Sequence, residues 1–281
     1  MSHTGINDKE KIIQHKKAAI RKINAFMEKC IDSDDDKLLK KADLISYWLE
    51  SFSMYVDFED RFDSTKIIRY SRGNIIRVNF GFNIGKELGG MHFAVVLDND
   101  NKHSADVLTV IPLSSTEGRS VHPRCVDLGT ELFEKANAVQ VQLRKRAIEE
   151  LEEINKIKAG IDVAYNIIEN SSKDVRIENE KQFFEIRQNR DDMSKKISEL
   201  RDSLKIIERN DKEILKMKTG SMAVMNQITT ISKQRIFTPK KSTDFLYGIS
   251  LSANAMDKID DKLRELYGHR KTANLQNKPV D

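Results

Sequence analysis

Residues 131–216 hold no proline, a single glycine at Gly160, and a dense mixture of Glu, Lys and Arg. Apolar residues recur there at alternating steps of three and four. They are Ile154, Ile157, Ile161, Ala164 and Ile168, then Phe183, Ile186, Met193, Ile197, Leu200, Leu204, Ile207 and Ile214, with Arg190 and Asp211 the polar members of the second seam. Such a step keeps one stripe of a helix turned toward one neighbour. Asn170-Ser-Ser-Lys-Asp174 interrupts the pattern. Two seams with a polar break predict an antiparallel helical hairpin, each arm about 50 Å long at about 1.5 Å per residue. A hairpin returns the chain to the place it left, so the segments before 131 and after 217 must meet in one body. A seam wide enough for one partner helix is consumed within the hairpin, and removing 131–217 is expected to leave that body folded.

The body starts in Arg72–Ser115. Ile75 to Phe80 alternates Ile75, Arg77 and Asn79 with Ile76, Val78 and Phe80, the pattern of a half-buried strand. Gly81 to Gly90 is a loop with four glycines and one Glu. His92 to Leu97 is a short apolar run, and Asp98 to Ser104 is turn chemistry, because Asn and Asp bond their own backbone. Val107 to Leu113 is a third strand, with Pro112 near its end, where a missing donor is tolerated. Val121 to Leu128 reads as a fourth strand entered through Pro123, and Ser221 to Ile231 resumes strand-like text after Gly220. Strands joined by polar loops predict a small antiparallel barrel or sandwich.

Helices flank it. Residues 8–30 carry Ile12, Ile13, Ala19, Ile20, Ile23, Phe26 and Met27 near helical spacing. Asp32-Ser-Asp-Asp-Asp36 ends that run and supplies caps for a second helix over 37–54, in which Trp48, the one tryptophan, is expected in the core. A last helix is predicted from about Asn254 to Tyr267, capped by Ser252 and stopped at Gly268.

A net charge of +4 permits a polyanion partner without demanding one, and fits a merely well-solvated surface equally. Cys30 and Cys125 lack metal-ligand spacing and fit a reduced intracellular protein. The start MSHTGINDKEK has no apolar signal region, and no run approaches the length of a membrane span. The expectation is a soluble cytoplasmic protein with no membrane association and no cofactor.

Arg72-Gly73, Glu87-Leu-Gly-Gly90, Ala94-Val-Val-Leu-Asp-Asn-Asp100, Val107 to Ser114 and, much later, Met225-Asn-Gln-Ile-Thr-Thr-Ile-Ser-Lys-Gln-Arg-Ile236 occur in an order that resembles the MazF/PemK toxins. These are the endoribonuclease half of many bacterial toxin–antitoxin pairs. The resemblance covers roughly 72–128 and 219–238. It implies an α+β fold built on a small antiparallel SH3-like β-barrel at 71–130 and 218–240. An inserted coiled-coil hairpin at 131–217 follows from it, with an N-terminal helical extension at 1–70 and a C-terminal segment at 241–281. It also implies a homodimer that binds single-stranded RNA, and a cognate antitoxin protein.

Cleaving RNA without a metal requires a base for the 2′-hydroxyl, an acid for the leaving 5′-oxygen and a donor for the phosphorane, and yields a 2′,3′-cyclic phosphate. No His, Cys or carboxylate cluster has metal-ligand spacing, so this reading carries no metal. Similar toxins place Arg-Pro where this chain has His92-Phe93. Imidazole transfers protons near neutral pH, whereas Arg only stabilises charge. His92 is therefore either a catalytic acid or base, or a surface histidine at a strand start. Ser114 matches the family's hydroxyl and either donates to phosphate or does turn work, with Ser115 adjacent. Glu87 matches the family's Glu, as a base, as a partner orienting His92, or as a solvated charge. Arg72 contacts a phosphate or braces the first strand. Asn74 stands where the family has an acid, and Thr229 where it often has Arg. Lys86, Arg119 and Arg124 are further phosphate candidates or plain surface charge. Gln227 and Arg235 match the late motif. The loop with Gly89 and Gly90 precedes a strand rather than a helix, so it is no nucleotide fingerprint, and a flexible flap over RNA suits it better. The rival reading is a catalytically silent RNA- or protein-binding scaffold, favoured by the missing Arg and the large helical additions. From their place before the first strand, the helices of 1–65 are expected to cover the RNA groove as a built-in inhibitor.

Overall fold

The computed structural model describes residues 9–118, 120–172 and 179–268. The chain divides into two compact units, Met1–Asp63 with Asn79–His92, and Ser64–Val78 with Phe93–Asp281.

The first unit holds α1 (Lys9–Ile31) and α2 (Asp36–Phe58). Asp35 caps α2, its carboxylate accepting from Lys37 N at 2.9 Å and satisfying an amide that a helix start leaves open. Cys30, Ala42, Ile45 and Phe80 are buried. The apolar stripe of α1 is not covered as its spacing predicts, since Ile12, Ile13, Ile20 and Phe26 stay exposed. A unit this small has too little volume to bury every apolar side chain it carries.

The strands are β1 (Ile75–Asn79), β2 (Met91–Val96), β3 (Val107–Ser115), β4 (Cys125–Gly129), β5 (Ser221–Val224), β6 (Thr229–Ser232) and β7 (Ile236–Thr238). The sheet order is β4-β5-β3-β2-β1-β7, with β6 also on β3. β3 is the hub. One edge pairs with β2, Ala94 opposite Pro112 and Val96 opposite Val110. Its other edge is shared, Val107–Val110 lying against β6 and Leu113–Ser115 against β5. Serving two partners on one edge needs length, which is why β3 runs to Ser115 rather than stopping at Leu113. The β1–β7, β2–β3, β3–β5, β3–β6 and β4–β5 ladders are antiparallel, and the order is open, running from β4 to β7. The expected α+β antiparallel architecture is present, and among the described residues no hydrogen-bonded closure of a barrel is formed. β1 is also more buried than its alternation predicts, both Ile75 and Ile76 being inaccessible, as in a strand covered on both faces.

Between β4 and β5 run α3 (Glu131–Glu169) and α4 (Glu180–Leu215). β4 and β5 pair directly, with Gly129 opposite Ser221, so the hairpin leaves and re-enters the sheet at neighbouring points. Ile154, Ile197, Ile207 and Ile214 fill the seam. Ile157 does not join them and is 48% exposed. Lys158 takes the inward step and reaches Asp162 instead. Both polar positions of the α4 seam find an opposite charge on α3. Arg190 Nε meets Asp162 at 2.7 Å, with its guanidinium over Tyr165, and Asp211 pairs with Arg144. α3 ends at Glu169 with Asn170 as cap, and the last two residues of the anticipated break, Lys173 and Asp174, lie outside the described residues.

The core of the second unit joins Ile75, Val95, Ile111, Val126 and Ala223 of the strands to Leu132, Ala136 and Ile214 at the feet of the hairpin, and to Ala255, Met256 and Ile259 of α5 (Ala253–Tyr267). The feet are therefore core, and excising all of 131–217 strips it. Ser252 caps α5 as its sequence suggests, its hydroxyl accepting from Ala255 N at 3.2 Å. Among the described residues, no helix is long and apolar enough to cross a membrane.

Candidate functional site

The glycine loop is braced at its neck and across its tip. Phe80 N donates to Gly90 O at 2.8 Å and Gly90 N to Gly81 O at 2.6 Å. Asn83 Nδ2 donates to Leu88 O at 2.7 Å, and Glu87 Oε2 accepts from Ile84 N at 3.4 Å. This bracing fits a fixed wall better than the flexible flap that glycine content suggests. Two glycines have no substitute here. Gly81 sits at φ +77°, and a Cβ on it would lie 2.7 Å from the Trp48 ring. A Cβ on Gly89 would lie 2.7 Å from Gly81 O. Gly90 has φ +84°, a conformation that costs an L side chain strain.

α2 and this loop enclose a groove of about 680 Å³. The helix contributes Lys37, Lys40, Lys41, Leu44, Tyr47, Trp48 and Ser51, and the loop contributes Glu87, Gly89 and Gly90 among others. The helix residues follow one another by three, one, three, three, one and three, which places them on a single face. Trp48 is thus not a core residue as expected. It is half-buried and stands on the groove wall, tilted against Phe52 and Tyr55 with ring centroids 5.8 and 6.3 Å away. The sequence signal for this groove was a lysine-to-aromatic progression along one helix face, which hydrophobic periodicity alone does not reveal.

Of the residues singled out from the sequence, Lys86, Glu87, Gly89, Gly90 and His92 fall in the first unit, and Arg72, Ser114 and Ser115 in the second. His92 is half-buried and meets the edge of the Phe80 ring at a centroid distance of 6.5 Å. Lys86 and Glu87 are exposed. Ser114 lies opposite Met222 in the β3–β5 ladder. Ser115 lies opposite Ser221, and its hydroxyl accepts from Glu117 N at 3.1 Å. Arg72 donates to Leu97 O and pairs with Asp260 of α5, so the brace among its two readings is the one occupied here. Asn74, where the family has an acid, donates to Ser250 Oγ at 2.7 Å and accepts from Ser71 N at 2.7 Å, and forms an isolated antiparallel bridge with Ser250 just before α5. Arg119 lies outside the described residues. Arg124 is exposed, its backbone amide donating to His122 Nδ1. Gln227 and Arg235 occupy short 3-10 turns on either side of β6.

Two residues, Arg77 and Lys233, take roles the sequence reading did not assign them. Arg77 of β1 lies over the rings of Phe93 and Phe237, at 5.9 and 5.4 Å, and pairs with Glu213 at 2.8 Å. Hydrogen bonds from Lys216 and then Arg77 hold the Glu213 carboxyl below the usual carboxylate range despite partial burial. Lys233 is wholly buried, its ammonium donating to Lys102 O and His103 O at 3.3 Å, and burial lowers its pKa. Both are structural anchors in the second unit.

No curated protein matches the chain. Residues 71–159 match the family described as PemK-like, MazF-like toxin of type II toxin-antitoxin system. The match is continuous from before β1 through β4 into α3, and does not include the late motif at 225–236. It contains the glycine loop, His92 and Ser114, so what the chain shows across residues 71–159 is similarity to the PemK-like, MazF-like toxin family.

Proposed function

We propose that the protein is a toxin-like endoribonuclease that cleaves single-stranded RNA through attack of its own 2′-hydroxyl, without a metal, leaving a 2′,3′-cyclic phosphate. The observation that carries this is the family match over the stretch that holds Glu87, His92 and Ser114 together in one domain's sequence. In this reading His92 transfers a proton as acid or base, Glu87 serves as base or orients the imidazole, and the Ser114 hydroxyl donates to the developing phosphorane. Lys86, Ser115, Gly89 and Gly90 contact the strand. Arg72 keeps its bracing role. A histidine in place of the family's Arg shifts the site from charge stabilisation toward proton transfer. The same reading makes the open sheet a variant of the SH3-like barrel with the hairpin inserted, the active form a cytoplasmic homodimer, and its regulator an antitoxin protein.

The test is the chemistry of the cut. A substrate RNA with one 2′-deoxy substitution on the 5′ side of the scissile phosphate should resist cleavage there, and the unmodified product should end in a cyclic phosphate. Cleavage of the deoxy substrate would rule out 2′-hydroxyl attack. A second reading is favoured by the absence of the family's Arg, namely a scaffold that binds RNA or protein with cleavage lost. It would stand if no RNA were cut at all.

A further inference from the structure

The groove between α2 and the glycine loop is outside anything the family match supplies on its helix side, because α2 precedes the matched residues. We propose that it is a binding subsite for unpaired nucleotides, with the α2 lysines holding phosphates and the aromatic pair receiving bases. The proposal deepens the RNA-cleaving reading and takes its ligand from it.

Three observations carry it. First, Lys37, Lys40 and Lys41 line one end of the groove, all three exposed, and the face continues into Tyr47 and Trp48. Cations followed by π-faces at helical spacing match a strand whose phosphates and bases alternate, and stacking accepts any base. Second, the opposite wall sets four glycines among Asn79, Phe82, Asn83, Glu87 and Met91. Gly85 and Gly90 have open space where a Cβ would stand, which leaves room for a flat ring to approach. Third, Glu87 is the acid on that wall. A carboxylate repels phosphate but accepts from the exocyclic amine of a base. The groove therefore has a phosphate end and a base end. Tyr47 is 64% exposed and so is placed to stack without rearrangement. The carboxylates of an acidic peptide would use the lysines but not the ring faces, and a duplex offers no bare base faces.

The chain contains one tryptophan, so Trp48 reports on its own groove. The experiment titrates the full chain, in EDTA, with a short mixed-sequence 2′-O-methyl RNA that cannot undergo 2′-hydroxyl attack, and follows Trp48 fluorescence. A saturable quench is expected. Its affinity should fall with salt, and the double change Lys40→Gln, Lys41→Gln should reduce the log–log salt slope by about 1.4, at about 0.7 per single-strand phosphate contact. Tyr47→Ala should weaken binding on the order of tenfold, and Tyr47→Phe should restore it. Circular dichroism checks that these exposed-site variants keep their helices. Equal quenching by a duplex of the same length would overturn the proposal. So would quenching by an acidic peptide alone, no effect of the lysine and tyrosine changes, or faster RNA cleavage by the lysine variant, which would mark α2 as a cover. Cleavage of ordinary RNA is measured in parallel. A Trp48 response without cleavage upholds the subsite and removes the enzyme reading, while cleavage without a Trp48 response does the reverse.

Discussion

Glu131 joins the starts of two helices. Its carboxylate accepts from Ser252 N and from Ser252 Oγ at 2.9 Å, and meets Lys135 at 2.8 Å. Burial opposes its ionisation, but the bonds from Lys135 and Ser252 outweigh burial and lower its pKa. A folded value below the unfolded one stabilises the protein above the unfolded carboxyl pKa of about 4.3, and that stabilisation is lost as pH falls through the folded value. Glu131→Gln should therefore cost about 1–3 kcal/mol in denaturant unfolding at neutral pH. The gap to the parent should narrow below about pH 4. An undiminished gap in acid would show that the charge is irrelevant. Gly81 offers a second residue-scale check. Gly81→Ala places a methyl against the Trp48 ring in a left-handed backbone, and should cost about 1–3 kcal/mol and shift Trp48 emission. Unchanged emission would contradict that packing. Neither contact was legible in the sequence. The cap at Ser252 was, because it depends on neighbours three residues on. The partners Glu131 and Trp48 lie 121 and 33 residues from theirs, and nothing local announces them.

At the scale of elements, local periodicity served well where one period dominates. The α4 seam from Phe183 to Ile214 is inward or half-inward at each residue read. On α3 the same rule failed at Ile157, since a three-or-four step from Ile154 leaves two choices, and an ion pair between Lys158 and Asp162 took the other one. The polar seam positions then fix register, Arg190 to Asp162 and Asp211 to Arg144, because a shifted hairpin would leave those charges against apolar neighbours. Among the strands, the apolar runs gave β1, β2 and β3 within a residue or two at most ends. The length of β3 depended on two partners supplied from beyond residue 220.

For the whole molecule, the hairpin is an arm whose roots are core. Leu132, Ala136 and Ile214 belong to the same cluster as Ile75 and Val95. Replacing residues 145–210 by a short glycine-rich linker should preserve the sheet and its cooperative unfolding, because Arg144 and Asp211 already face each other. Removing 131–217 entirely should yield insoluble or molten protein. Equal solubility and equal melting of the two deletions would contradict this division.

The catalytic claim names Glu87 of the loop, His92 of β2 and Ser114 of β3, and it was readable only through motif order, since no cluster of titratable groups marks it in the sequence. Its most direct test is cleavage of a mixed-sequence RNA in EDTA by the unaltered chain beside His92→Ala, Glu87→Gln and Ser114→Ala. The account predicts cutting at defined sites by the unaltered chain, and a loss of about a hundredfold or more for His92→Ala, the scale of a missing general acid or base. Undiminished cutting by His92→Ala, or no cutting of any RNA by the unaltered chain, would contradict it.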